Sequence, residues 1–276
     1  MKVSIVTISF NQGKFLKRCI RSIVEQDYDD IEYIIVDPGS TDGSRAIIEQ
    51  YHDRISTMIF EPDNGPVDGL IKGFAQANGD IFGYINADDA LLPGAISEMV
   101  AALDKNPGVS AVIGHGYVID AAGRVRRCIR SARFDARRFA LGAGVVVQQS
   151  TFFRREAYRK VGGFNDKNRT SWDAELLLQM GLNGEQIKII DRYWSLFTIH
   201  ADSFTGDKGA RDEARVLEVK RNHGRYFELV MGREEQRIDH FWRKLAWLQR
   251  WALDPMGAAR RLSDQLIGPP PYDFPP

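Results

Sequence analysis

Acid- or amide-bearing side chains recur in this chain wherever a short apolar run stops. Ser9-Phe10-Asn11 follows one such run, Asp37-Pro38-Gly39-Ser40-Thr41-Asp42-Gly43 a second, Glu61-Pro62-Asp63-Asn64-Gly65 a third and Asn86-Ala87-Asp88-Asp89 a fourth. Each taken singly is explained as a turn or a helix N-cap, because Gly, Asn and Asp suit both. Structural turns can equally use Gly, Ser and Lys, so the recurrence points to one shared polar site. Adjacent carboxylates such as Asp88 and Asp89 are hard oxygen ligands, and the chemistry they suggest is the holding of a divalent cation. Two further candidates lie downstream. Asp173 precedes the apolar Leu176, Leu177, Leu178 and Met180, and His200 stands in Thr198-Ile199-His200-Ala201-Asp202-Ser203.

The elements that must position these groups read as alternating strands and helices. Strands are expected over Lys2 to Phe10, Ile31 to Asp37, Ile55 to Glu61 and Ile81 to Asn86. Between them, Lys14 to Gln26 places Phe15, Leu16, Cys19, Ile20, Ile23 and Val24 at helical spacing, and Asp42 to Tyr51 and Val67 to Ala77 behave alike. Right-handed crossovers then build a mostly parallel open sheet, which binds ligands beyond the carboxyl ends of its strands. All four polar segments fall at those ends. Beyond about residue 107 the pattern is less regular: strands at Ser110 to Gly114, Val145 to Phe153, Ile187 to Ile190 and Trp194 to Thr198, a hairpin over Tyr117 to Val125, and helices at Glu156 to Val161 and Asp173 to Gly184. Residues after about 210 read as helical and end in a proline-rich tail.

Composition narrows the class. The 276 residues carry 37 Lys plus Arg and 37 Asp plus Glu, so no global field exists to hold a polyanion, which argues against nucleic acid as the main partner. Cys19 and Cys128 have neither zinc-ligand nor Cys-x-x-Cys spacing and read as thiols of a reducing compartment. Ser4, Thr7 and Ser9 interrupt the first apolar run and no small-residue cleavage site follows, so it reads as a strand, not a signal peptide, and a cytoplasmic protein is expected. No apolar stretch is long enough to cross a bilayer. Near the C-terminus, Phe241, Leu245, Leu248 and Ala252 share a helical face, with Trp242, Trp247 and Trp251 beside Arg243, Lys244 and Arg250. Such a helix either packs on protein, including a second copy, or lies on an anionic membrane at the inner face. Packing is the commoner fate.

The first strand with Asn11, the Asp-x-Gly-Ser-Thr-Asp turn, Asn86-Ala87-Asp88-Asp89 and Trp172-Asp173-Ala174-Glu175-Leu176 occur in an order and spacing that resembles the family 2 glycosyltransferases over roughly residues 1 to 205. The resemblance implies an α/β protein of GT-A (Rossmann-like) fold, an open mixed sheet flanked by helices, with residues 206–276 as a helical C-terminal extension. It implies an inverting transfer of sugar from a nucleotide-diphosphate donor, UDP-sugars favoured, to a glycan or lipid-linked acceptor in surface polysaccharide or glycoconjugate synthesis, with Mn or Mg. Donor binding is then assigned to Ser9, Phe10, Asn11, Asp37, Asp68, Asn86 and Asp88, metal binding to Asp88, Asp89 and His200, and the general base to Asp173. Gln148 and Gln149 lie where the family approaches sugar and acceptor.

Two departures from the family pattern stand out. Asn86 replaces the first Asp of the Asp-x-Asp motif, which moves metal duty to Asp88 with Asp89 in support, and Pro38 replaces a second Asp beside Asp37. Blander readings stay open for each residue. Phe10 can be core, Asp68 and Lys72 a helix start and a solvated lysine, Asp88 or Asp89 a cap for a helix near Pro93, and Asp173 an N-cap. A sugar nucleotidyltransferase and a catalytically silent nucleotide-sugar-binding protein are the rival functions. The first usually needs a basic Gly-rich loop after strand one, which Ser9-Phe10-Asn11-Gln12-Gly13-Lys14 matches poorly.

Overall fold

The computed structural model describes residues 1–203 and 212–234, with residues 239, 244 and 245. Its first part alternates β1 (Val3–Ile8), α1 (Gly13–Val24), β2 (Ile31–Val36), α2 (Ser44–Glu49), β3 (Thr57–Ile59), α3 (Pro66–Gln76) and β4 (Ile81–Asn86). These strands lie in the order β3-β2-β1-β4, all parallel. Alternation along each strand feeds two cores. Val3 and Ile5 of β1 and Tyr33 and Ile35 of β2 pack with Leu16, Ile20 and Ile23 of α1, while Val6, Ile34 and Val36 face Leu70 and Phe74 of α3. A sheet buried on both faces needs such near-continuous apolar strands, which is what the parallel half supplies.

The second half closes the sheet differently. β5 (Ala90–Leu91) and α4 (Ala95–Asp104) lead to β6 (Ala111–Asp120), β7 (Val125–Ile129), α5 (Ala136–Ala140), β8 (Thr151–Arg154), α6 (Arg155–Lys160), α7 (Trp172–Leu182), β9 (Ile187–Ile199) and α8 (Glu213–Met231). β8 inserts antiparallel between β4 and β6, β9 runs parallel to β6, and β7 forms a hairpin with β6, giving nine strands in one mixed sheet among the described residues. Gly83 makes the β4–β8 contact possible, because a Cβ there would come within 2.5 Å of the Phe152 ring.

Several expected boundaries move for identifiable reasons. The strand expected over Val145 to Phe153 begins only at Thr151, because a 3-10 turn at Gln148–Ser150 aims two glutamines at the polar edge. The two short strands expected at 187–190 and 194–198 are one, β9: Asp191-Arg192-Tyr193 stay in the strand where its register against β6 shifts around His115. Neither short element β5 nor α5 is legible from periodicity. The helix after Pro93 is capped by Gly94 in the left-handed region, and Ser171 is the N-cap residue of α7, so Asp88, Asp89 and Asp173 are not caps. α8 is tied to the start of α7: buried Asn222 and Tyr226 bond Asn168 and Ser171 just before it, and Arg225 reaches Glu175 on it. Of the amphipathic C-terminal face, all but Leu245 lies outside the described residues, as does the proline-rich tail.

Candidate active site

The carboxyl ends of β4 and β9 meet. Asn86 ends β4, the chain turns through Ala87 and Asp88, and β9 delivers Thr198 and His200 to the same place. His200 Nε2 lies 3.2 Å from Asp88 Oδ2, a pairing across 112 residues of sequence. The two side chains remain 8% and 15% exposed, respectively, so the pair is sheltered yet reachable. Its backbone is clamped: Arg18 of α1 donates to Asp88 O at 2.8 Å and to Thr198 Oγ1 at 2.7 Å, and Thr198 Oγ1 also donates to Asp88 O. Phe15, one turn before Arg18, packs its ring 4.6 Å from the His200 imidazole.

Asp89 points the other way. It is 1% exposed, and its oxygens accept from Thr198 N–H at 2.9 Å, from Gln149 Nε2 at 2.9 Å and from Asn86 Nδ2 at 3.3 Å. Burial, and then the neighbouring Asp88 charge, push the Asp89 carboxyl well above the usual carboxylate range. Accepting from three protein donors, Asp89 ties β4, β9 and the 3-10 turn together, a positioning role beside the metal ligation expected of it. Asn86 bridges onward, its Nδ2 3.5 Å from Gln148 Oε1, while Gln148 Nε2 donates to Tyr84 O at 2.9 Å.

The loop after β2 stands opposite. Asp37 is fully buried and its carboxylate accepts from Gly39 N–H, Ser40 N–H and Ser40 Oγ, with Arg45 Nε 3.3 Å away. Asp37 thus shapes a turn from inside. That turn is laced to the end of β1: Asn11, in the left-handed region at φ 53°, donates its N–H to Ser40 Oγ and accepts from Thr41 N–H on its Oδ1. The lacing leaves Phe10 59% exposed, which removes the core reading of this ring, and buries Ser9, whose Oγ has no hydrogen-bond partner among the described residues. Asp68 lies in the first turn of α3, where its Oδ2 accepts from Asn64 N–H at 2.9 Å and sits 3.4 Å from Lys72 Nζ; Lys72 also reaches Pro62 O. Both are tied to the loop before α3.

Asp173 occupies the first turn of α7 and lines a small pocket with Tyr84, Gln148, Thr151 and Phe153. Burial raises its pKa above the ordinary aspartate value; only backbone N–H groups, of Ala174 and of Asp173 itself, oppose the rise. A carboxylate that is sheltered, lightly hydrogen-bonded and raised in pKa is suited to taking a proton. Its neighbour Glu175 is not. Glu175 accepts from Asn165 Nδ2, Asn168 Nδ2 and Arg225 Nη2 at 3.0, 2.5 and 2.6 Å, so its carboxylate is committed to joining α7 with α8. Trp172 Nε1 donates to Tyr84 OH at 3.0 Å and fixes the start of α7 against β4.

The structure therefore gathers Asn86, Asp88 and His200 at one point, places Asp173 one glutamine and one tyrosine away, and sets Phe10, Asn11, Asp37 and Asp68 around the β1, β2 and α3 loops. Sequence reasoning missed Arg18, Thr198 and Tyr84. Arg18 sits in an ordinary amphipathic helix and Tyr84 in an apolar strand, so neither carries a local signal. Thr198 lies two residues before His200, and the β alternation that puts both on one face was the signal available.

Comparison with known proteins bears on the family and the fold. Residues 4–162 match the family model described as glycosyl transferase family 2. An uncharacterized glycosyltransferase of Mycobacterium tuberculosis is 31% identical over 189 residues, covering 68% of this chain and 71% of that protein. A Campylobacter jejuni protein named GalNAc(5)-diNAcBac-PP-undecaprenol beta-1,3-glucosyltransferase is 30% identical over 118 residues, 41% of this chain and 38% of its own length. Among solved structures, S. aureus TarS 1-349 in complex with UDP-GlcNAc superposes with a TM-score of 0.65 at 16% identity, covering 91% of this chain and 72% of that one. The mannosyltransferase PcManGT from Pyrobaculum calidifontis, in complex with GDP-Man and Mn2+, gives 0.61 at 16% identity, covering 96% and 79%. The mixed sheet is thus the GT-A fold, and with more than half its length matched by the family model, the chain belongs to glycosyl transferase family 2.

Proposed function

We propose that this glycosyltransferase moves a sugar from a nucleotide-diphosphate donor, with a UDP-sugar first among candidates, to an acceptor hydroxyl by a single displacement that inverts the anomeric centre. The observation that carries the reading is the Asp88–His200 pair at the strand edge that also holds Asn86 and faces the Asp173 pocket. The pair fits Mn or Mg: Asp88 Oδ1 accepts no hydrogen bond among the described residues, and carboxylate oxygen with imidazole nitrogen suits Mn in particular. Among the described residues no group of three or more His, Cys, Asp or Glu side chains converges, so the remaining ligands would be donor phosphate oxygens and water. A cation there supplies stabilisation for the charge that accumulates on the departing diphosphate.

The chain's own residues divide the remaining work. Exposed Phe10 offers a face for the nucleotide base, while Asp37 acts by holding the turn that, through Ser40 and Asn11, sets the position of Phe10. Asn86 and Asp68 are assigned to the ribose and sugar side of the donor, and Ser9 and Asn11 to hydrogen bonds beside Phe10. Asp89 positions Asp88 by holding the turn between β4 and β9. As the acceptor oxygen bonds to the anomeric carbon, the bond from that carbon to the diphosphate oxygen breaks, its electron pair leaves with the nucleoside diphosphate, and the acceptor proton passes to Asp173.

The acceptor is assigned to the glycan and lipid-linked class, on the support of the undecaprenol-linked substrate in the Campylobacter relative's name. No described helix is long and apolar enough to cross a membrane, and contact with the membrane that carries such an acceptor is assigned as peripheral, at the cytoplasmic face. The C-terminal helices expected to pack on protein or lie on that surface fall largely outside the described residues. The test is nucleotide release from a panel of UDP-, GDP- and dTDP-sugars with and without Mn. Release of nucleoside diphosphate that depends on Mn supports the reading, whereas pyrophosphate release, or full donor binding without metal, overturns it.

A further inference from the structure

Charge balances over the whole chain but not locally. Between Asp120 and Leu141 the sequence carries seven arginines, no lysine, and only Asp120 and Asp135 as acids. Asp120 is already engaged by Arg124 at 2.9 Å and Arg126 at 2.5 Å, Asp135 caps α5 by accepting from Arg138 N–H, and Arg130 pairs with Asp191 and lies over the Tyr193 ring. Arg127, Arg133, Arg137 and Arg138 have no ion pair or side-chain hydrogen bond among the described residues, and the first three are exposed. Four uncompensated guanidinium groups in one surface segment of a net-neutral protein form a local positive field.

The fold puts that field beside the chemistry. Asp120, at the hairpin tip, is in register with Ile199, the residue before His200. From β7 the chain passes through Ser131 and Ala132, which bond to Val147 and Val145, and so reaches Gln148 at the site. α5 lies against α7, with the Phe134 ring seated over Gly181. The basic segment therefore borders both the metal pair and the helix that carries Asp173. Its shape is a ridge, because β7 pairs with β6 alone. The free guanidinium groups are spread along the segment, Arg127 on β7, Arg133 in the loop and Arg137 and Arg138 on α5, and are not drawn from one element around one ligand. A ridge of spaced, bidentate phosphate donors meets an array of phosphates on a flat surface better than it encloses a single ligand.

We propose that β7 and α5 form a docking surface for anionic phospholipid headgroups, which sets the catalytic edge against the bilayer where a lipid-linked acceptor stands. This deepens the lipid-linked reading of the acceptor, and vesicle binding tests it separately because it needs no turnover. Full-length protein is sedimented with phosphatidylglycerol–phosphatidylcholine vesicles and with pure phosphatidylcholine vesicles, alongside the variant R127Q/R133Q/R137Q/R138Q. A thermal melt and UDP binding confirm that the variant is folded and its donor site intact. Each basic residue near an anionic surface contributes about a fivefold gain in partitioning, so the fourfold variant is expected to bind the anionic vesicles roughly three orders of magnitude more weakly, with wild-type binding falling as salt rises. Equal binding of wild type and variant overturns the proposal, as does equal binding to neutral vesicles. Capture of soluble polyphosphate without any vesicle binding also overturns it, and assigns the ridge to a phosphate-bearing polymer.

Discussion

Replacing Asp173 with Asn separates catalysis from architecture at this site. No side-chain donor or ion pair engages the carboxylate among the described residues, and only the backbone N–H groups of Ala174 and of Asp173 itself oppose its raised pKa, so Asp173→Asn strands no partner and keeps the local geometry of α7. What it loses is a proton acceptor. A positioned general base contributes about 10²–10⁴ in rate, so turnover should fall by that factor, equivalent to roughly 3–5 kcal/mol of transition-state stabilisation, while donor affinity stays within a few fold. Stability should move in the other direction. Burial raises the Asp173 pKa, so the folded state binds its proton more tightly than the unfolded chain does, and stability drains away as pH rises from the unfolded value through the raised one. Asn carries no charge, so the variant should melt at the same or a higher temperature than wild type at neutral pH and lose that advantage in acid. The wild-type rate should fall on the acid side as pH drops through a pKa above the ordinary aspartate range, and this limb should vanish from the residual activity of the variant. The assay is nucleoside diphosphate release at saturating donor across about pH 4–9, with a parallel thermal melt. Near-normal transfer by folded Asp173→Asn refutes the assignment, and Glu175 cannot inherit the role because Asn165, Asn168 and Arg225 occupy its oxygens.

Other substitutions test the frame around the base. Asp88→Ala should abolish Mn-dependent donor binding, read by calorimetry with and without Mn, at a stability cost of under about 1 kcal/mol because the residue faces the site. Asp89→Ala strands three donors, Thr198 N–H, Gln149 and Asn86, and at about 1–3 kcal/mol for each buried unsatisfied group should cost at least about 3 kcal/mol in denaturant unfolding. Tyr226→Phe removes the hydroxyl that joins Asn168 to Ser171 and should lower Tm by roughly 2–8 °C. Burial favours the neutral form of Glu32, but hydrogen bonds from Asn78 N–H, Ser4 and Lys2 outweigh it and hold its pKa at about 2; stability from this group should be complete above the ordinary glutamate range and fade as pH falls toward 2, a slope that Glu32→Gln removes.

The parallel half of the sheet was legible because its physics is local. Strands buried on both faces must be apolar at nearly every position, and amphipathic helices between them must repeat at 3.6 residues, so β1, β2, β4, α1 and α3 fall within a few residues of where periodicity puts them. Polar residues at the strand ends follow from the same reasoning, since an open sheet can expose them only there. The later half resists reading because its partners are distant. β8 pairs with β4 about seventy residues upstream, and the 3-10 turn before it exists to aim Gln148 and Gln149 at groups that no local window contains.

For the site, sequence by itself determined which residue types stood at the edge; it did not determine which way each pointed. Asp88 and Asp89 are adjacent and chemically identical, yet one meets His200 near the surface and the other is sealed among three donors. Asp37 likewise has the composition of a ligand-binding acid and the surroundings of a turn-forming one. The physical reason is that a carboxylate's role is set by what satisfies its lone pairs and by how much water remains, and both depend on chain segments brought together only by the fold. Thr198 and His200 arrive on β9 more than a hundred residues after Asp88 and Asp89, and their arrival decides which carboxylate is left open to a ligand.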